Sequence, residues 1–238
     1  MEVNVLLVEG QTDRIVFETL IEKIYGFRKE KVEIEGLGKT GLNLTYVTFR
    51  KDNTVIVVLI NAQDKYRMKD VLRNVLSWAN FHKVKLHRIG LLRDMDTNLD
   101  IIGWAKSSLR QFHPILKGTS LWINDTEIIP FGLGNVEIEN PVIEKKRELE
   151  LLLTLLAEKE STLSRFQRSL NQLKEDTGRR LKPKDIMHVL AIAKEYDGDS
   201  MSGLYRKLIE DILRINPKVI EEFLKETGLR EFLDKITG

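Results

Sequence analysis

The stretch VNVLLVEGQTD, residues 3–13, decides the fold that the sequence predicts. Its apolar run has the length of a buried strand and ends at Glu9, and Gly10 permits a tight turn. Thr12 suits the N-cap of a helix predicted to run to Ile24, because the apolar residues that follow recur on one face. A strand, a turn and a helix in such close succession are typical of the first unit of an α/β fold.

Short β-rich runs alternate with helical segments up to residue 140. This alternation predicts an α/β fold with a mostly parallel sheet flanked by helices. The predicted strands are 3–8, 31–35, 54–60, 86–93, 119–123 and 126–131, and the further helices are 66–81 and 101–112. Beyond this region the strand signal disappears. The sequence therefore predicts an α/β domain over residues 1–140 and an all-α domain over residues 141–238.

Leucines in the second region recur at alternating spacings of three and four residues, from Leu149 to Leu173. This heptad-like spacing predicts one long helix. The apolar side of this helix, which we call the seam, could pack in a helical hairpin, join subunits of a homo-oligomer, or cover a core within the chain. Later helices are predicted at 184–196, at 201–215 and from Pro217 to Gly228.

Composition excludes several classes of protein. There are 38 Lys+Arg against 36 Asp+Glu, a net charge of +2, and there is no cysteine. A disulfide scaffold, a cysteine-ligated zinc ribbon and a thiol nucleophile are thus excluded. Because the charges nearly cancel, a nucleic-acid-binding surface has to be local. No signal peptide is recognisable and no apolar window approaches the roughly 18 residues of a membrane span, so we expect a cytoplasmic protein that does not enter a membrane.

Carboxylates follow two of the predicted strands. Glu9 follows the first strand, and Asp94 and Asp96 follow a later one. Because side chains alternate along a strand, the two aspartates share a face about 7 Å apart. Carboxylates so placed repel each other unless a cation lies between them, and oxygen ligands favour Mg²⁺ or Mn²⁺. Aspartate also ends strands and caps helices in ordinary turns, so the pair alone is not diagnostic.

The Glu-Gly-x-Thr-Asp turn at residues 9–13, followed by Asp-x-Asp at 94–96, resembles the Toprim domain of topoisomerases, primases and several nucleases. The resemblance covers residues 3–140. It implies a Toprim-like sheet and one metal site formed by the glutamate and both aspartates, which would also be the catalytic residues. Asp13 would support this site by capping the first helix or orienting a ligand.

A second resemblance adds a possible ligand. Gly134-Asn135-Val136-Glu137 is similar to the segment that carries an additional glutamate in Toprim nucleases of the overcoming-lysogenization-defect type. This implies that Glu137 is a metal ligand, and Glu139 competes for that role. As a whole, the chain is similar to small archaeal Toprim-related proteins that include single-strand-specific 3′–5′ exonucleases. The resemblance implies a metal-dependent nuclease that trims single-stranded DNA during DNA repair or processing.

Basic residues that could bind a nucleic acid occur in three places. Lys39 lies in a glycine-containing loop, and Arg93 precedes the aspartate pair. Between residues 165 and 184, seven basic residues against two acidic ones give a local charge of +5. The basic residues are Arg165, Arg168, Lys174, Arg179, Arg180, Lys182 and Lys184. They form either a phosphate-binding surface or an ordinary solvated helix face.

Two other functions are compatible with these residues. A nucleic-acid-binding protein could keep the fold without catalysing a reaction. A phosphatase of the haloacid-dehalogenase type would use Asp94 as nucleophile and Asp96 as acid, but it usually places this motif on its first strand. Substituting the glutamate at position 9 separates the nuclease from the phosphatase, because only the nuclease requires it.

Overall fold

A computed structural model describes residues 2–31, 34, 36–37, 44–52, 55–95, 100–193, 198 and 200–238. For Glu2 and Val55 it describes the backbone alone. Lys39 and Asp96, two of the predicted site residues, lie outside the described residues.

The described strands form one eight-stranded sheet in a mixed α/β fold. The strands are β1 (Glu2–Val8), β2 (Arg28–Glu30), β3 (Thr45–Lys51), β4 (Val55–Asn61), β5 (Leu86–Asp94), β6 (Ile115–Lys117), β7 (Ser120–Ile123) and β8 (Thr126–Leu133). Their order across the sheet is β2-β3-β4-β1-β5-β8-β7-β6.

Nine helices occur in the described part of the chain. They are α1 (Gln11–Lys23), α2 (Met68–Phe81), α3 (Ile101–Ser108), α4 (Leu149–Lys159), α5 (Thr162–Thr177), α6 (Pro183–Ala193), α7 (Met201–Ile215), α8 (Pro217–Glu226) and α9 (Leu229–Thr237). None of them has the length and apolar character that crossing a membrane requires.

Parallel pairing is concentrated at the centre of the sheet. Strand β1 pairs in parallel with β4 and with β5, whereas β2–β3, β3–β4, β6–β7 and β7–β8 are antiparallel. The sheet is therefore mostly antiparallel, and the predicted mostly parallel sheet is not confirmed. The turns explain the difference: two residues separate β6 from β7 and β7 from β8, and parallel strands need a far longer crossover.

The chain divides into two compact units. The first comprises Met1–Arg93, Asn98–Gly132 and Glu231–Gly238, and the second comprises Asp94–Thr97 and Leu133–Arg230. This division by compactness differs from the predicted boundary between an α/β domain and an all-α domain at residue 140, and that boundary remains a prediction.

Helix α9 packs on the sheet of the first unit, beside β1 and β5. The fully buried Asn4 of β1 donates from Nδ2 to the carbonyl oxygen of Ile236 at 2.8 Å. Gly90 of β5 leaves room for the helix, since a Cβ atom there would lie 2.8 Å from the Phe232 ring and 2.9 Å from the Ile236 side chain. The Phe232 ring also packs 4.9 Å from that of Phe131. The side chains of α9 therefore pack directly against the backbone of Gly90, and a methyl group there would displace them.

In the second unit, the predicted long helix is two helices. Ser161 lies between α4 and α5 with a φ of 69°, a left-handed conformation that ends the first helix. The prediction of one continuous helix is wrong. The seam leucines Leu149, Leu152, Leu156, Leu163 and Leu170 are buried within the unit, which favours the interpretation of the seam as a core face. The predicted homo-oligomer therefore gains no support from this seam.

The tight contact at Gly90 gives a first prediction. Gly90→Ala should lower the free energy of unfolding by about 1–3 kcal/mol, because the added methyl group overpacks against α9. In a Phe232→Ala background the same change should cost clearly less, since the nearest obstructing ring is gone and the Ile236 side chain can shift into the space that it leaves. Urea denaturation of the four proteins of this double-mutant cycle measures both costs. Equal costs in the two backgrounds would contradict this account of Gly90.

Candidate functional site

The carboxyl ends of three adjacent strands meet at one edge of the sheet in the first unit. Val8, the last residue of β1, pairs with Asn61 of β4 and with Leu92 of β5. Because both pairings are parallel, the residues that follow them lie along the same edge. We call Glu9, Gln11, Asp13, Asn61 and Arg93 the carboxyl-edge cluster.

The turn that carries Glu9 is held by Asp13. The Asp13 carboxylate is buried, and its Oδ2 accepts a hydrogen bond from the backbone nitrogen of Gly10 at 2.7 Å. Gly10 is the N-cap of α1, so the predicted N-cap at Thr12 is wrong. Asp13 thus holds both the turn and the first residues of α1 in place. The half-buried Glu9 is the first residue of this turn.

A pair of side-chain amides links β4 to α1 at this edge. Asn61 is only 5% exposed, and its Nδ2 donates to Oε1 of Gln11 at 3.2 Å. Its Oδ1 accepts a hydrogen bond from the backbone nitrogen of Gln63 at 2.7 Å. The sequence gives Asn61 no catalytic signal, because an asparagine at the end of an apolar run is an ordinary turn residue. Its burial and its two partners show that it shapes the edge.

Arg93 is positioned by an aromatic ring. Its guanidinium carbon lies 4.6 Å from the centroid of the Trp104 ring on α3, and both side chains are half-buried. Stacking leaves the edge of the planar guanidinium available to bind a phosphate oxygen. The predicted role of Arg93 in nucleic-acid binding fits this geometry and remains a prediction.

Asp94, the last residue of β5, belongs to the second unit. Its Oδ1 accepts a hydrogen bond from the backbone nitrogen of Leu149 at 3.0 Å, in the first turn of α4. The backbone nitrogen of Met95 donates to the carbonyl oxygen of Arg147 at 2.9 Å. A carboxylate at this position satisfies a free N–H group and interacts favourably with the helix dipole. Asp94 therefore has a structural partner that the sequence did not indicate.

Two glutamates and a lysine complete an ionic group at the start of α4. The Lys184 ammonium lies 3.6 Å from Oε1 of Glu150, which also accepts a hydrogen bond from the Tyr205 hydroxyl at 3.3 Å. The charge of Glu150 raises the pKa of Lys184, with smaller contributions from Glu148 and Asp94, while partial burial opposes the rise. We call Asp94, Glu148, Glu150 and Lys184 the α4 cluster.

Sequence reasoning missed the α4 cluster for two reasons. Glu148 and Glu150 are adjacent to a leucine-rich run, and Lys184 was counted with the basic residues of the following region. The available signal was a glutamate just before the predicted helix and another in its first turn, where negative charge is favoured.

The proposed additional ligands are exposed. Glu137 pairs with Lys145, whose hydrogen bond and charge lower the pKa of the Glu137 carboxyl. Glu139 is also exposed. Among the described residues, no three His, Cys, Asp or Glu side chains gather closely enough to hold a metal ion. Asp96 lies outside that search, so the roles of Glu137, Glu139 and Asp96 remain predictions.

Four arginines of the predicted basic surface are exposed in the second unit, on α5 and just after it. They are Arg165, Arg168, Arg179 and Arg180. Arg165 lies 3.7 Å from Glu160, whose side chain is only 11% exposed, and Lys182 is half-buried. Lys184 belongs instead to the α4 cluster. The exposure of these four arginines does not distinguish a phosphate-binding surface from an ordinary solvated helix face.

Comparisons with known proteins identify relatives over almost the whole chain. The model of the family described as "Protein of unknown function (DUF3226)" matches residues 3–227. An uncharacterized protein of Methanocaldococcus jannaschii is 34% identical over 227 residues, which cover 91% of this chain and 93% of that protein. The crystal structure of a hypothetical protein from Pyrococcus horikoshii has a TM-score of 0.92 and 34% identity, with 100% of each chain covered.

The raised pKa of Lys184 predicts how its contribution to stability depends on pH. A raised folded-state pKa means that the ion pair stabilises the fold fully below the unfolded pKa of about 10.4, and that this stabilisation is lost as the pH rises through the folded pKa. Lys184→Met should therefore lower the free energy of unfolding near pH 8 and have a smaller effect near pH 11. The loss should be at most about 1 kcal/mol, because the ammonium is more than half exposed.

Chemical denaturation at the two pH values measures this difference. Lys174→Met removes a lysine of the same unit that lies outside the α4 cluster, and it serves as the control for the loss of a lysine charge. An effect of Lys184→Met that grows above pH 10.5 would contradict the assigned direction of the shift.

Proposed function

This chain belongs to the DUF3226 family, whose description assigns no function, and from its own residues we propose that it is a Mg²⁺- or Mn²⁺-dependent nuclease. The substrate that we propose is single-stranded DNA, trimmed from its 3′ end during repair or processing. The fold that we propose for residues 1–140 is Toprim-like, with the catalytic residues at the carboxyl ends of the parallel strands β1 and β5.

One observation carries the proposal. Glu9 directly follows β1 and Asp94 ends β5, and these two strands are parallel neighbours in the sheet. Open α/β sheets bind their ligands outside the carboxyl ends of the strands, where strand order reverses. The chain leaves β1 for one side of the sheet and returns to its other side with β5, so β1 lies at such a point.

The donor groups suit a hard divalent cation. Mg²⁺ typically takes one or two protein carboxylates and completes its shell with water and substrate phosphate oxygens. Glu9 and Asp94 are two carboxylates of the kind that Mg²⁺ binds, and Asp96 is the predicted third. The ion would lower the pKa of a bound water and offset negative charge at the scissile phosphate.

The remaining residues position the substrate. In the proposal, Glu9 either binds the cation or accepts the proton of the attacking water. Asp13 keeps Glu9 in place through the Gly10 turn. Arg93 binds a backbone phosphate, with its guanidinium already oriented by Trp104. Lys39 and the exposed arginines of the second unit are further candidates for binding phosphates of the nucleic acid.

A second candidate is a nucleic-acid-binding protein without catalytic activity. The exposed arginines on α5 and just after it favour this candidate. This protein would bind single strands without divalent metal and would not cleave them.

Substitution of the two carboxylates tests the nuclease. Glu9→Gln and Asp94→Asn should each reduce metal-dependent cleavage of a labelled single strand by at least about 100-fold, since each removes a negatively charged oxygen from the site. Asparagine can still accept the hydrogen bond from Leu149, so Asp94→Asn should fold. Asp125→Asn, which changes an exposed carboxylate in the β7–β8 turn, is the matched control.

The substrates should be linear and circular single strands, labelled at the 5′ or the 3′ end, with Mg²⁺, Mn²⁺ or EDTA. A 3′–5′ exonuclease shortens a 5′-labelled linear strand stepwise and leaves the circle intact. Cleavage that survives both substitutions would overturn the site assignment. A phosphatase would instead release phosphate from small monoesters and tolerate Glu9→Gln.

A further inference from the structure

An exposed aromatic side chain lies in the loop that follows β4. This loop, residues 62–67, begins at the carboxyl edge of the first unit, where the backbone nitrogen of Ala62 donates to the carbonyl oxygen of Val8 at 2.9 Å. Val8 directly precedes Glu9. The loop therefore starts beside the turn that carries the proposed catalytic glutamate.

The loop has a defined conformation. At its start the Asn61 side chain accepts a hydrogen bond from the Gln63 backbone, and Gln63 adopts a φ of 77°. The Asp64 carboxylate accepts hydrogen bonds from the backbone nitrogens of Tyr66 and Arg67, at 2.8 and 2.9 Å. The Arg67 guanidinium donates to the Gln63 side chain. Tyr66 is thus presented by an ordered backbone, which lowers the entropic cost of binding through it.

The Tyr66 ring is 80% exposed. Its neighbours in the loop are polar or charged, and the Lys65 ammonium lies 5.6 Å from the ring centroid. Other tyrosines of the described chain are used internally: Tyr205 is 1% exposed, and the buried Tyr25 donates to Asp234. Tyr66 has no comparable role in the core, and its exposed ring is accessible to a ligand.

We propose that Tyr66 is a stacking platform for a base of single-stranded nucleic acid entering the carboxyl edge, with Lys65 contacting the adjacent phosphate. This inference rests on the proposed function and names the part of the substrate that the site selects. A lone aromatic ring beside cations suits a base and its phosphate, because protein-binding hot spots need a dry apolar surround that this polar loop lacks. Paired bases within a duplex hide their faces, so the platform favours single strands.

The matched control is Phe81, at the far end of α2, the helix that follows the loop. Phe81, the last residue of α2, is 82% exposed, and α2 has 14 residues, so it lies about 20 Å from the loop. It is as exposed as Tyr66 but lies far from the proposed site. Tyr66→Phe keeps the ring and removes only the hydroxyl.

The experiment measures binding of a fluorescein-labelled oligo-dT by anisotropy, with Ca²⁺ in place of Mg²⁺ to suppress cleavage. Tyr66→Ala should weaken binding about 10-fold, within the range that one stacked base supplies. Tyr66→Phe and Phe81→Ala should stay within about twofold of the unsubstituted protein. A blunt duplex of equal length should show no such dependence on position 66.

The outcomes separate the inference from the proposed function. If the unsubstituted protein binds and cleaves single strands but Tyr66→Ala does so equally well, the stacking platform is wrong and the nuclease stands. A protein that neither binds nor cleaves nucleic acid overturns both, and Tyr66 then belongs to some other interaction. Equal weakening by Tyr66→Ala and Phe81→Ala would show a general loss of surface contacts and would also overturn the platform.

Discussion

The parallel pairing of β1 with β4 and β5 determines most of what the first unit can do. These backbone hydrogen bonds fix the register in which Val8 meets Asn61 and Leu92, and so decide which residues reach the carboxyl edge. The side chains on both faces of β1 are buried, which is why its sequence is almost continuously apolar. Asn4 is the exception, and its amide is matched by a backbone carbonyl of α9. A change in this register would move every side chain of the edge at once.

Sequence patterns predicted the elements that bury one continuous apolar face and begin at a recognisable cap. The helix at 201–215 is confirmed to the residue, because one apolar stripe and a serine N-cap define it. The sequence patterns did not predict β3, because Thr48 and Phe49 are its only buried residues and charged residues end it. The seam from Leu149 onward satisfied a heptad, yet the chain turns at Ser161. Periodicity reports which face is apolar, and it does not report where a helix stops.

Part of the candidate site could likewise be predicted from the sequence, and part of it could not. A carboxylate after an apolar run could be read from the sequence, and Glu9 directly follows β1, whereas the order of the strands could not be read from it. The partner of Asp94 could not be expected, because the first turn of α4 is 55 residues away along the chain. Local chemistry can predict the type of group at an edge, whereas the group that it contacts depends on tertiary packing. For the same reason, only the structure distinguishes the exposed Tyr66 from the buried Tyr205.

The position of α9 has a consequence for biosynthesis. The first unit contains the earliest strands of the chain and also residues 231–238, so the whole second unit is made in between. Asn4 leaves the ribosome long before Ile236, the residue whose carbonyl accepts its hydrogen bond 232 positions later. Until then, the surface of β1 and β5 that α9 covers is open to solvent. A newly made chain therefore passes through a stage in which its central sheet is uncovered, when chaperones or self-association would compete with folding.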